Sequence, residues 1–283
     1  MSNYETVMNT SEDRLNYVLS ASGFAIVEKF VDEEFLSKVE RIAFSYEEEL
    51  DEFVQRGGVL DSLAGHPLKN ARAIYCIDQI FQSLIMDMGI YDIARRYLEG
   101  AELRDCHLLV NNPDGRNKRR GRDGMVNWHR DGKWSAEGNV SCFLHCFLLL
   151  SDFTNQNGGT LVVPGTHNLK EPEYYFVETD PGEVVQGNYY KVYPQNYFPA
   201  GVQLTARRGA LVLLDPMCIH AQGINISDER RAVINFSFQK IGIPPLFNCK
   251  AIAGQQARYS LSKEFFEILA TGENIPNTYG PVI

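Results

Sequence analysis

Two histidines, an aspartate and an arginine in this chain are residue types that could build a metal centre. His129 and Asp131 lie two residues apart, His220 follows about ninety residues later, and Arg231 comes eleven residues after His220. Two imidazoles and one carboxylate are the ligand set that leaves half of an octahedral iron(II) ion open for oxygen chemistry. The open positions suit a bidentate 2-oxo acid together with O2. A guanidinium near the metal is a natural partner for the far carboxylate of that acid.

The elements around these residues decide whether they can meet, because a His-x-Asp tripeptide alone is a weak signal. Val126 and Trp128 favour a strand, and residues two apart on an extended chain point to the same face, so His129 and Asp131 can converge on one ion. The apolar stretch from Ala210 to His220 predicts a second strand. A polar turn over 222–229 then leads into a strand over 230–239, and we expect a hairpin that returns Arg231 beside His220.

The last of these strands alternates between two kinds of side chain. One set is mostly polar and fits the interior of a barrel, whereas the other is apolar and fits packing against helices. The first set comprises Arg231, Val233, Asn235, Ser237 and Gln239, and the second comprises Ala232, Ile234, Phe236 and Phe238.

Several motifs beyond the triad are typical of one enzyme family. They are Gly23–Val27 before an amphipathic helix, Trp128–Asp131, the stretch NGGTLVVPGTH over 157–167, His220 with Asn225, and Arg231. In order and spacing over most of residues 15 to 240, the chain resembles the phytanoyl-CoA dioxygenase family of iron(II)/2-oxoglutarate oxygenases. One departure is Arg130, where the family more often has Gln. We expect its side chain to project to the face of the strand opposite the two ligands.

The resemblance implies a role for each residue of the site. His129, Asp131 and His220 would hold iron(II) as the catalytic centre, 2-oxoglutarate would chelate that ion, and O2 would be the second cosubstrate. Arg231 would pair with the C5 carboxylate of 2-oxoglutarate, and we expect Asn112 as a second contact to it. The candidates for the substrate pocket are Trp128, Lys133 and Trp134, although Trp128 could equally belong to the core.

The leading functional hypothesis is an oxygenase that hydroxylates, or otherwise oxidises, an unactivated C–H bond of a small molecule. We expect an amino-acid-derived or other natural-product substrate. One alternative is a hydroxylase of acyl-CoA or carrier-bound acyl groups, and another is a non-catalytic barrel that binds a metal or metabolite. A halogenase is disfavoured because halide would need the position that the Asp131 carboxylate takes. The residues leave open the choice among hydroxylation, desaturation and demethylation, and also the oligomeric state.

Composition favours a cytoplasmic enzyme acting on small molecules. The net charge of −9 argues against nucleic acid as a partner, since phosphate binding needs a basic face. No apolar run is long enough to span a bilayer, so no membrane association is expected. The six cysteines contain no Cys-x-x-Cys pair, which predicts reduced and buried thiols.

The order of predicted elements indicates an α+β fold in a single domain over 1–283. Helices over 11–22, 32–51 and 78–99, with Asp32 as an N-cap and Gly89 as a break, form a helical support over 1–100. We expect these N-terminal helices to buttress a double-stranded β-helix, the cupin-like jelly roll, over 103–240. A further helix over 261–271 and a tail lie in the C-terminal part, 250–283.

Two long connections are candidates for covering the site. The segment 112–124 carries five basic residues. It is either a solvated surface loop or a loop that binds an anion at the entrance of the site. The segment 168–205 holds six of the fourteen tyrosines. We weigh a substrate lid there against a surface loop or an oligomer contact.

Overall fold

The computed structural model describes residues 12–56, 68–113, 128–131, 142–169, 190–193, 201–245 and 247–272. The helices in these ranges are α1 Glu12–Ser22, α2 Glu33–Gln55, α3 Gln79–Met86, α4 Ile90–Tyr97, α5 Cys249–Gln256 and α6 Lys263–Glu267, with one-turn 3₁₀ helices at Ile74–Cys76 and Thr166–Asn168. The strands are β1 Phe24–Val27, β2 Leu68–Arg72, β3 Ala101–Asn111, β4 Trp128–Asp131, β5 Phe143–Leu149, β6 Leu161–Val162, β7 Tyr190–Tyr193, β8 Val202–Gln203, β9 Leu211–Leu214, β10 His220–Ala221 and β11 Arg231–Lys240.

These strands form two antiparallel sheets packed face to face. The large sheet has the order β1-β9-β5-β11-β3-β2, and the small sheet has the order β7-β4-β10-β6-β8. Neighbours in each sheet come from distant parts of the chain, as in a double-stranded β-helix. The predicted α+β jelly roll is confirmed.

Three apolar layers follow from the alternation of side chains along the strands. The outer face of the large sheet packs on the helices, and Ile234, Phe236 and Phe238 of β11 lie there with Leu36 of α2 and Leu84 of α3. A second layer fills the space between the sheets. A third, smaller layer covers the outer face of the small sheet. The predicted division of β11 into a helix-facing apolar side and an inward side is confirmed.

The predicted N-cap of α2 and the predicted break after α3 are confirmed, although α2 continues to Gln55 rather than ending at residue 51. Asp32 caps α2, since its Oδ1 accepts a hydrogen bond from the Phe35 amide at 2.8 Å. Gly89 adopts φ 83° and separates α3 from α4, so the predicted break is confirmed. No helix in the described part of the chain is both long and apolar enough to cross a membrane.

The predicted hairpin between His220 and Arg231 is wrong. The apolar stretch divides into β9, which belongs to the large sheet, and β10, which belongs to the small sheet. Residues 215–219 separate them, and β11 pairs with β3 and β5 rather than with β10. His220 and Arg231 therefore lie on opposite sheets.

Two further elements differ from the expectation. In the C-terminal part α5 was not predicted, and the helix expected over 261–271 is confined to Lys263–Glu267. The tyrosine-rich segment 168–205 contributes β7 and β8 to the small sheet, so part of it is barrel wall. The rest of segment 168–205, apart from a few flanking residues, and most of the basic segment 112–124 lie outside the described residues, so the predicted lid stays a prediction.

The packing of β11 on the helices predicts a large stability difference between two apolar residues. Phe236→Ala removes a fully buried ring and should lower the free energy of unfolding by about 3–5 kcal/mol. Ile226→Ala changes a side chain that is 71% exposed and should stay within about 0.5 kcal/mol of the parent. Denaturant unfolding measures both values, and similar losses in the two variants would contradict the assignment of the core.

Candidate metal centre

His129, Asp131 and His220 converge on the inner face of the small sheet. The antiparallel pairing of β4 with β10 sets His220 directly opposite His129, with 4.3 Å between the ring centroids. Asp131 follows two residues after His129 and therefore projects to the same face. One ligand atom from each of the three residues lies within 4.8 Å of the other two. Both histidines are buried and Asp131 is partly exposed.

The hydrogen bonds of the triad leave its ligand atoms facing a common point. His220 Nδ1 lies 2.8 Å from the Cys218 carbonyl, so this nitrogen donates and Nε2 keeps its lone pair. That Nε2 atom is 3.7 Å from Asp131 Oδ2. His129 Nε2 lies 3.3 Å from Asp131 Oδ1, yet Oδ1 is buried and makes no hydrogen bond of acceptable geometry. A buried oxygen without a hydrogen bond, in a cluster with two imidazoles, fits a divalent cation held by two nitrogens and one oxygen.

Asp131 is ionised in this setting. Burial acts to raise its pKa, but the adjacent imidazoles of His129, His145 and His220 hold the pKa well below the usual value of an aspartate. The carboxylate therefore offers negative charge to a cation without first losing a proton.

Arg231 enters the same interior from the large sheet. It opens β11 opposite Asn111 of β3, and it is only 5% exposed. Its Nη1 donates to the Gly158 carbonyl, and its guanidinium carbon lies 5.0 Å from the centroid of the Phe153 ring. Burial lowers its pKa to about 10.

The guanidinium of Arg231 has capacity for an anion. Its Nε makes no hydrogen bond, and no carboxylate among the described residues forms an ion pair with it. A buried cation is costly unless it is paired. A carboxylate from a ligand would supply both the missing charge and the missing acceptor.

The Asn157-Gly158 turn holds this end of the barrel together. Asn157 Oδ1 accepts from the Thr154 amide at 2.9 Å, and Asn225 Nδ2 donates to the Asn111 carbonyl at 3.2 Å. Gly158 has φ +80°, and a Cβ there would lie 2.6 Å from the Gly223 carbonyl oxygen and 2.9 Å from Asn111 Nδ2. Glycine is thus required both by backbone conformation and by space.

The other site residues expected from the sequence are placed differently. Asn112 lies just after β3 and is half-buried, whereas Asn111 is buried opposite Arg231 with its Nδ2 unpartnered. Trp128 packs with Val163, Ile219 and Ala221 on the outer face of the small sheet, which agrees with a core role rather than a pocket role. Lys133 and Trp134 lie outside the described residues.

Arg130 projects away from the triad, as its position between the two ligands predicts. It is almost fully buried, and its Nη2 donates to the Thr166 carbonyl at 2.7 Å. The residue therefore ties β4 to the Pro164–His167 turn on the outer side of the small sheet.

The chain matches the model of the phytanoyl-CoA dioxygenase family over residues 19–233. A protein of Stutzerimonas stutzeri described as a probable alpha-ketoglutarate-dependent hypophosphite dioxygenase is 23% identical over 238 residues, which covers 80% of this chain and 78% of the relative.

Solved structures share the fold at low sequence identity. The epimerase SnoN, in complex with Fe3+, alpha-ketoglutarate and nogalamycin RO, has a TM-score of 0.56 at 15% identity and covers 95% of this chain and 96% of its own. The non-heme alpha-ketoglutarate-dependent carbocyclase SnoK from nogalamycin biosynthesis has a TM-score of 0.56 at 17% identity. The match covers 82% of this chain and 85% of the SnoK chain. These likenesses establish the double-stranded β-helix.

The close approach at Gly158 predicts that a single methyl group is damaging there. Gly158→Ala should destabilise the fold by about 1–2 kcal/mol for its left-handed backbone, with about 1–3 kcal/mol more for the overlap with Gly223 and Asn111. Gly89→Ala is the matched control, because φ is +83° and nothing lies within 4 Å of the added carbon. It should show only the backbone cost. Equal losses in thermal or denaturant unfolding would contradict the packing around Gly158.

Proposed function

We propose that this chain, which belongs to the phytanoyl-CoA dioxygenase family, oxidises an unactivated C–H bond of a polar small molecule. It is an iron(II)- and 2-oxoglutarate-dependent dioxygenase. The observation that carries the proposal is the convergence of His129, Asp131 and His220 on one inward-facing point, with a buried arginine on the opposite sheet.

The triad suits iron(II) because it supplies three protein ligands of the facial type and leaves positions for a chelating cosubstrate and O2. When bound, that metal together with 2-oxoglutarate and O2 supplies the oxidising power that no protein side chain has. The contribution of His129 and His220 is to present nitrogen lone pairs to the metal. Asp131 contributes the negative charge and one oxygen on the same side of the site.

Arg231 is proposed to anchor the C5 carboxylate of 2-oxoglutarate. Its unpartnered Nε and its burial without an ion pair among the described residues support this role. Asn111 is a better candidate than Asn112 for the second contact, since it lies opposite Arg231 and its Nδ2 is buried without a hydrogen bond. The Gly158 carbonyl fixes the guanidinium before the ligand arrives, which reduces the entropy lost on binding.

The inner face of the large sheet favours a polar substrate over an acyl chain. Beyond the apolar pair Val233 and Leu149, it presents His107, His145 and Asn235, all of them buried. Asn235 Oδ1 has no hydrogen-bond partner among the described residues, so it is available to accept from a hydroxyl or N–H group. A bare alkyl chain would leave that oxygen unsatisfied, at a cost of about 1–3 kcal/mol.

We expect oxygen-dependent release of succinate from 2-oxoglutarate in the presence of iron(II), increased by hydroxyl- or amide-bearing metabolites more than by acyl-CoA esters. His220→Ala should abolish it, because two ligands hold iron poorly. Succinate release that is unchanged in His220→Ala would remove His220 from the ligand set. Absence of any iron-dependent release in the parent protein would favour a non-catalytic barrel, and preference for acyl-CoA would favour the acyl hydroxylase.

The role of Arg231 as the anchor of the 2-oxoglutarate C5 carboxylate is tested by substituting Arg231 and its neighbour Arg230. Arg231→Lys should raise the 2-oxoglutarate concentration required for half-maximal succinate release by roughly one to two orders of magnitude, since about 1.5–3 kcal/mol of charge-assisted hydrogen bonding is lost. Arg230→Lys is the control, because Arg230 faces α2, where it lies 4.2 Å over the Phe44 ring and pairs with Glu47 at 3.3 Å. A larger effect in Arg230→Lys than in Arg231→Lys would relocate the anchor.

A further inference from the structure

A row of buried polar side chains runs from the candidate metal ligand Asp131 across the inner face of the large sheet. His145 Nε2 lies 3.1 Å from Asp131 Oδ2, and His145 Nδ1 lies 3.4 Å from Asn235 Nδ2. The same Asn235 nitrogen lies 3.5 Å from His107 Nε2. These contacts join β4 to β5, β11 and β3, so four strands from separate parts of the chain meet in one row.

The row ends on a second carboxylate. His107 Nδ1 lies 3.2 Å from Asp105 Oδ2, and Asp105 also pairs with Arg72 of β2. Burial acts to raise the pKa of Asp105, but Arg72 and His107 lower it far below its usual value, so this group is an ionised carboxylate. Asp131, as the proposed metal ligand, is a carboxylate too. Both ends of the row can therefore only accept hydrogen bonds.

Two acceptor ends fix the direction of every hydrogen bond between them. His145 must donate from Nε2 to Asp131, and a neutral His145 then accepts at Nδ1. The charge of Asp105, 3.2 Å from His107 Nδ1, favours the proton on that nitrogen although the two atoms make no hydrogen bond, and Nε2 then accepts. The amide of Asn235 carries two hydrogens on one nitrogen, which is what two accepting imidazoles require. Rotating the amide would face its oxygen toward two lone pairs, so the carboxylates also determine its orientation.

We propose that His145 and Asn235 are positioning residues of the metal centre, which hold Asp131 Oδ2 so that Oδ1 is presented to the metal. The inference rests on the proposed iron site. Oδ1 is the carboxylate oxygen without a hydrogen bond, whereas Oδ2 is the one that His145 contacts. Asn235 acts one residue further away by fixing the tautomer of His145. A hydrogen-bonded carboxylate loses rotational freedom and keeps one oxygen for the cation.

The test is titration with Co(II) as the probe metal, followed by its visible absorption, which needs neither substrate nor turnover. His145→Phe removes the donor, and Asn235→Leu removes the group that sets the tautomer. Both should weaken Co(II) binding by about 10–100-fold, the usual effect of losing such a partner of a ligand. His145→Gln keeps a donor toward Asp131 and an acceptor toward Asn235, and it should restore binding to within about threefold of the parent protein.

Ser237→Ala is the matched control, because Ser237 is a buried inward residue of β11 opposite His145 that lies outside the row. It should bind Co(II) like the parent protein, and circular dichroism checks that each variant is folded. If His145→Phe fails to fold, Asn235→Leu decides the matter. Parent-like affinity in His145→Phe or Asn235→Leu would overturn the inference while leaving the proposed function intact, and so would equal weakening in Ser237→Ala. A parent protein that binds no Co(II) would overturn the proposed function itself.

Discussion

The pairing of His129 with His220 across β4 and β10 is the contact on which the rest of the site depends. Each of these strands is short, and the side chains of a strand change face at every residue. A shift of one residue in this register would turn a histidine outward and break the triad. The outer face of the small sheet secures the register, since Trp128 packs there with Ile219 and Ala221 while Arg130 binds the Thr166 carbonyl.

The two sheets divide the chemistry between them. The small sheet supplies the three candidate metal ligands, and the large sheet supplies the buried cation Arg231, the polar wall and the His145–Asn235 row. The apolar layer between the sheets, which includes Val162, Leu149 and Val233, holds the two sets of groups at a fixed separation. Helices α2 and α3 pack on the outer face of the large sheet, so the groups of the site belong to its other face. The site is therefore a property of the whole barrel rather than of one loop.

Local patterns in the sequence predicted most of the helices and strands, but they could not predict the contacts between strands that are distant along the chain. The two-residue spacing of His129 and Asp131, the cap at Asp32 and the alternation in β11 depend only on neighbours along the chain, and the structure reproduces them. The predicted hairpin between His220 and Arg231 was wrong because the chain passes from one sheet to the other after Leu214. The hydrophobic pattern of the sequence does not indicate this change of sheet. The facing of Asn111 toward Arg231 depends on the β3–β11 register, and the row through His107 and His145 depends on three strand pairings.

The central claim, that the triad and Arg231 form one site for iron(II) and 2-oxoglutarate, is tested most directly by anaerobic titration. Iron(II)-loaded protein is titrated with 2-oxoglutarate while the charge-transfer absorption of the chelated 2-oxo acid is recorded. A parallel titration uses pyruvate, which has the chelating end but no distal carboxylate. Saturation at one equivalent with 2-oxoglutarate, and much weaker binding of pyruvate, is the predicted result. No charge-transfer band, or equal affinity for the two acids, would contradict the account.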